Sequence, residues 1–99
     1  MSRVVLAHVR YTDAVEEHIR DKHPPLTVRK VTQALIFARD AQASWEDDPV
    51  YGHQVAAFAT TVDGIAFKAY LHPVNPHDPD EGSFDLNTAF PLEVKYQDV

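Results

Sequence analysis

Two spacings of apolar residues divide the chain. Between residues 12 and 39 they recur every three or four positions; between residues 54 and 90 they alternate with other residues. The first spacing predicts helices and the second predicts strands. In TDAVEEHIRDKH, residues 12–23, Val15 and Ile19 form the apolar stripe of a short amphipathic helix. Asp13 and Glu16 have the spacing of a capping box, with Thr12 as the other candidate cap. Glu16 and Arg20, four apart, can pair on its surface. His23-Pro24-Pro25 ends it, because proline disfavours helical geometry in the residue before it. A second helix is expected from Thr27, its N-cap, to about Arg39, with Val28, Val31, Ala34, Leu35 and Ala38 on the buried face. The short proline linker makes the two a helical hairpin.

The strands follow from the second spacing. Residues 3–11, RVVLAHVRY, read as a strand with two fairly apolar faces and with His8 and Arg10 on one of them. Residues 40–53 contain an acidic turn at Asp47-Asp48-Pro49 flanked by Trp45 and Tyr51, Trp45 being expected as a core anchor. Residues 54–62 and 65–74 flank Asp63-Gly64, the strongest short-range hairpin signal. Phe58 and Val62 share a face of the first of these strands. Ile65, Phe67, Ala69 and Leu71 share a face of the second, opposite Lys68, Tyr70 and His72. HPVNPHDPDEGS, residues 72–83, is an exposed loop. In the last strand, residues 84–90, alternation groups Phe84, Leu86, Thr88 and Phe90 against Asp85, Asn87 and Ala89, and Pro91 closes it. Thr88 is then buried unless a bulge intervenes. The expected fold is α+β: two N-terminal helices on one antiparallel sheet of three to five strands. Residues 1–99 make a single domain, with 92–99 a peripheral tail.

Composition narrows the function. The chain has no cysteine, so disulfides and thiolate metal sites are excluded. Its N-terminal apolar run is interrupted by His8 and Arg10, unlike a signal peptide or a membrane span. A soluble cytoplasmic protein is expected. Net charge is −6, unsuited to broad nucleic-acid binding. The charge is uneven: residues 1–39 hold seven Lys/Arg against four Asp/Glu, and residues 40–99 hold two against eleven. A cationic helical half facing an anionic ligand is one reading; an acidic surface for a basic partner is the other. The 72–81 loop collects His72, His77, Asp78, Asp80 and Glu81, but no spacing there matches a calcium loop or zinc motif, and no metal or cofactor is expected.

The densest chemistry lies at the end of the first helix, where His18, Arg20, Lys22 and His23 fall within six residues. Cleaving RNA through its own 2′-hydroxyl needs a proton acceptor, a proton donor and a cation for the phosphate. Histidine suits either proton role and lysine or arginine suits the phosphate. His18 and Lys22, four apart, share a helix face. In the plainer reading, cations in a last turn simply complement the helix dipole.

HIRDKH at 18–23, the second helix, Trp45-x-Asp47, the Asp-Gly hairpin and the closing Thr88-Ala89-Phe90-Pro91 together resemble small RNase toxins of the barnase–EndoU–colicin–RelE-like superfamily, BrnT-type and phage members above all. The similarity spans roughly residues 12–91. It implies a metal-independent endoribonuclease toxin with an RNA substrate and a small antitoxin partner. By that resemblance His18, Lys22 and His23 are the proton-transfer and phosphate candidates, Thr88 orients the phosphate or 2′-hydroxyl, and Arg20 binds phosphate. Lys68, the only cation between residues 40 and 94, is the substrate-binding candidate on the sheet. The chain is more acidic and poorer in strand arginines than such toxins. The alternative is a catalytically inactive binding or regulatory module acting through its acidic surface.

Overall fold

The computed structural model describes residues 4–92. Arg3 and the tail at 93–99 lie outside them. The elements run β1 (His8–Arg10), α1 (Asp13–Lys22), α2 (Val28–Phe37), β2 (Gln42–Asp48), β3 (Gly52–Thr60), β4 (Ala66–Pro73), a 3-10 turn (Pro79–Glu81) and β5 (Ser83–Pro91). Two helices pack on one five-stranded sheet, the α+β layout expected from the sequence. Strand order is β1-β5-β4-β3-β2. All pairings are antiparallel except β1 with β5, which is parallel. Among the described residues no helix is long and apolar enough to cross a membrane.

Both helices start at threonine. Thr12 Oγ1 accepts from Val15 N and Thr27 Oγ1 accepts from Lys30 N, each bond 3.2 Å long. Each satisfies one of the donors a helix start leaves orphaned. Thr12, not Asp13, is therefore the cap of α1. α1 buries Ile19, and α2 buries Val28, Val31, Ala34 and Leu35. Leu26, in the linker, joins them. The sheet presents Val55, Ala57, Ala59, Phe67, Ala69, Leu71, Phe84, Leu86 and Ala89 to this layer. Trp45 packs against this core and lies near Phe84, as an anchor would.

Three expectations are corrected. The first strand is much shorter than residues 3–11, because only Ser83–Asp85 of β5 offer it a ladder. Val4 and Leu6 pack against the core instead of extending the strand. Residues 42–48 are a full edge strand, whose small and acidic residues hide its alternation. The hairpin loop has three residues, Val62, Asp63 and Gly64, closed by Thr61 N donating to Ile65 O and Gly64 N donating to Thr61 O. Gly64 has φ +89°. That is a type I turn with a glycine bulge, the usual three-residue hairpin. Val62, expected on the face of Phe58, sits in this loop.

A fourth correction matters most for the site. Tyr70 pairs with Thr88 but Leu71 pairs with Leu86, so Asn87 is an extra, unpaired residue. This β-bulge shifts the alternation by one. Phe84, Leu86 and Ala89 point into the core. Thr88 and Phe90 turn to the opposite face, beside Tyr70 and Lys68. They do not share a face with Phe84 and Leu86, and Ala89 does not share one with Asp85.

Candidate functional site

The helix-free face of the sheet has a register that sets side chains in rows. One row is Gln42, Phe58, Lys68 and Phe90; the next is Ser44, Ala56, Tyr70 and Thr88. A third contains Glu46 beside Gln54, and His72 beside Asp85. Rows two residues apart along a strand are separated by about 7 Å.

The first row meets α1. His23, the residue that caps α1, is half-buried and lies 6.1 Å from Phe90, centroid to centroid. His18, one turn earlier and exposed, sits edge-on to His23 at 5.2 Å. Phe90 continues to Tyr70 at 6.2 Å. The Lys68 ammonium lies 4.9 Å from the Tyr70 ring centre and 5.3 Å from that of Phe58. Such distances allow cation–π attraction, which orients the ammonium on the aromatic row. Two histidines, two aromatic rings and a lysine thus follow one another, the histidine pair edge-on and the other ring pairs tilted. Burial first, and the neighbouring His18 second, hold His23 below the ordinary imidazole value. Its neutral form is favoured, which suits a proton acceptor.

Of the residues proposed from sequence, His18, His23 and Lys68 are linked through Phe90 and Tyr70, and Thr88 stands across the ladder from Tyr70. Lys22 is exposed in the last turn of α1, four residues after His18. Arg20 lies apart from the path: it pairs with Asp21 at 3.2 Å and Glu17 at 3.8 Å on its own helix. Glu16, its expected partner, is not the one it takes. Among the described residues, no three His, Asp or Glu side chains form a group able to hold a metal ion.

Beside Tyr70 a cleft of about 620 Å³ is lined by Asp48, Tyr51, Gln54, Tyr70, Asn87 and Thr88. Sequence reasoning named only Thr88 in it as a site residue. Gln54 was legible as a polar residue at the head of an apolar run, but the bulge that swings Asn87 and Thr88 here was not. At the far edge Arg10 forms a two-bonded pair with Asp85, at 2.8 and 3.2 Å, which holds β1 on β5. The Asp85 partner raises the Arg10 guanidinium further above its ordinary value. On the helix side of the sheet, His53 stacks on Trp45 at 4.5 Å and its Nδ1 lies 2.6 Å from Asp47.

Neither a protein-family model, nor a curated protein, nor a solved structure matches the chain.

Proposed function

We propose that this protein is a metal-independent endoribonuclease that cleaves RNA through the 2′-hydroxyl. The observation that supports it is the pair His18 and His23, 5.2 Å apart, at the margin of a sheet face bearing partly exposed aromatic rings and Lys68. Of the two imidazoles, His23 is assigned as the proton acceptor and His18 as the proton donor. His23, held toward its neutral form, takes the 2′-hydroxyl proton. The 2′-oxygen attacks phosphorus, the bond from phosphorus to the 5′-oxygen breaks, and His18 gives its proton to that oxygen. The products are a 2′,3′-cyclic phosphate and a 5′-hydroxyl. Lys68 and Lys22 offset charge on the non-bridging oxygens, and Thr88 orients the ribose or phosphate. Phe90, Tyr70 and Phe58 offer π-faces for bases. The resemblance to small RNase toxins supports the same reading and implies a cytoplasmic setting and a small antitoxin over the helical surface or the exposed sheet edge.

The first test is incubation of the purified protein with a mixed-sequence RNA in chelator, beside the same oligonucleotide made with 2′-deoxy sugars. RNA is expected to be cut and the deoxy strand spared. His23→Ala and His18→Ala should each lower the rate by about 10² to 10⁴. An intact RNA after prolonged incubation with folded wild type would sink the proposal.

A second reading is a binding module without catalysis. It is favoured by the edge strand β2, whose end carries Glu46, Asp47 and Asp48. A stoichiometric complex with a basic protein, weakened by salt, together with inert histidines would establish it.

A further inference from the structure

β2 ends the sheet on one side, and among the described residues no strand pairs with its outer edge. An open edge is a template for another strand. Beside it, on the helix side of the sheet, lies an open groove of about 780 Å³. Leu6, Leu35, Ile36, Ala41 and Ala43 supply its apolar wall. Just past β2, in the turn to β3, Val50 is 79 % exposed. That turn is fixed: Asp48 Oδ1 accepts from Val50 N at 2.7 Å and from Tyr51 N at 2.9 Å. Val50 is therefore an apolar side chain held out on an ordered turn, which a partner can cover at little cost in ordering. Edge, groove and turn are contiguous along residues 41–50.

The strand QASWEDD is neutral in its first half and acidic in its second. Charge on an edge ordinarily blocks pairing with another copy. Antiparallel pairing of two β2 strands about Trp45 avoids that. Gln42 then stands opposite Asp48 of the second copy, Ala43 opposite its Asp47, and Ser44 opposite its Glu46, so no two carboxylates face one another. Centring one residue later would set Glu46 against Glu46, which is unfavourable. The same register carries the turn with it. Ala41 meets Pro49 of the second copy and Asp40 meets its Val50, which brings that side chain to the mouth of the groove. A ladder of backbone bonds needs apolar surface beside it to reach the about 1,200 to 2,000 Å² of a stable dimer, and the two grooves offer it. We propose that this protein forms a two-fold dimer through β2, the sheet continuing across the axis and Val50 of each copy seated in the groove of the other. The dimer goes beyond both functional readings and depends on neither. β5, which carries Phe90 beside His23, is three strands from the seam, so the histidine path stays open in the pair.

Sedimentation equilibrium of the full chain from about 1 to about 500 μM reads the association directly, in about 150 mM salt to screen the repulsion between two chains of net charge −6. The wild type is expected to dimerise within that range. Ser44 is exposed, and in the proposed register it faces Glu46 of the second copy. A charge placed there is felt twice across the two-fold. Ser44→Lys should therefore tighten the dimer by about three- to tenfold, and Ser44→Glu should weaken it by a similar factor. Opposite effects at one position cannot come from loss of folding. Val50→Asp, at a position open in the monomer, carries a carboxylate into an apolar groove and should weaken the dimer by at least about tenfold. A wild type that stays monomeric throughout overturns the proposal and leaves β2 to the basic partner of the second reading. A dimer indifferent to both Ser44 substitutions, or weakened by both, also overturns it, since its seam would lie elsewhere. A dimer untouched by Val50→Asp overturns the seating of the turn.

Discussion

In the proposed reading, His23 ties catalysis and stability to the same proton. Burial and His18 lower its affinity for that proton in the folded chain relative to the unfolded one. The unfolded state therefore binds more protons in the interval between the two values, and stability rises with pH there. The stabilising difference is present above the ordinary imidazole value and is lost as pH falls through the depressed one. Urea midpoints measured from pH 8 to pH 5 should fall for the wild type, and less for His23→Gln. The rising limb of kcat/KM, which reports the free base, should sit below the ordinary imidazole value and vanish in the same variant. Asp63 behaves with the same sign at lower pH. Its bonds to Lys30 first, and Thr61 second, depress its value, so its contribution is lost as pH drops through and below the carboxylate range. Lys30→Met should remove that acid sensitivity from a melting series.

At the level of elements, the caps and turns allow sharper expectations. Thr27→Ala removes the side-chain acceptor of α2 and should cost about 1 kcal/mol, lowering Tm by roughly 4 to 8 °C in calorimetry. Gly64→Ala meets no neighbouring atom, so its cost is the left-handed backbone alone, about 1 kcal/mol. Gly82→Ala adds a collision, since a new Cβ would lie 3.0 Å from Ala7 Cβ, and should be the more destabilising of the two. The helices were legible because threonine caps, prolines and three-to-four spacing agree at Thr12, Thr27 and Pro24. The core face of β4 was legible for the same kind of reason. β2 was not, since QASWEDD offers one aromatic ring and no run of large apolar residues. Nor was the bulge: FDLNTAF alternates without a break, and the position of the extra residue is set by the ladder to β4. The sequence suggested the histidines; tertiary pairing decided what stands beside them.

On the scale of the whole molecule, the proposed reading sets a site for a polyanion in an acidic body. Net charge is −6, while β2 to β5 carry Lys68 as their single Lys or Arg. Long-range repulsion and local attraction then oppose one another, and added salt screens both. The slope of log kcat/KM against log salt for a short oligonucleotide should be shallow or even positive between about 20 and 200 mM. A protein with six to ten phosphate contacts loses about 10³ to 10⁵ in affinity over a comparable range. A loss of that size here would mean that the substrate meets many more cations than Lys22 and Lys68.

β5, the last of the described strands, is the second strand of the sheet, wedged between β1 and β4. Arg10 waits for Asp85, His23 for Phe90, and Tyr70 for Thr88. During synthesis, therefore, a ribosome must deliver residues 83–91 before any of these partners meet. A nascent chain holds both histidines long before it holds the Phe90 that His23 borders, so the arrangement proposed as a site is assembled only once β5 has been delivered.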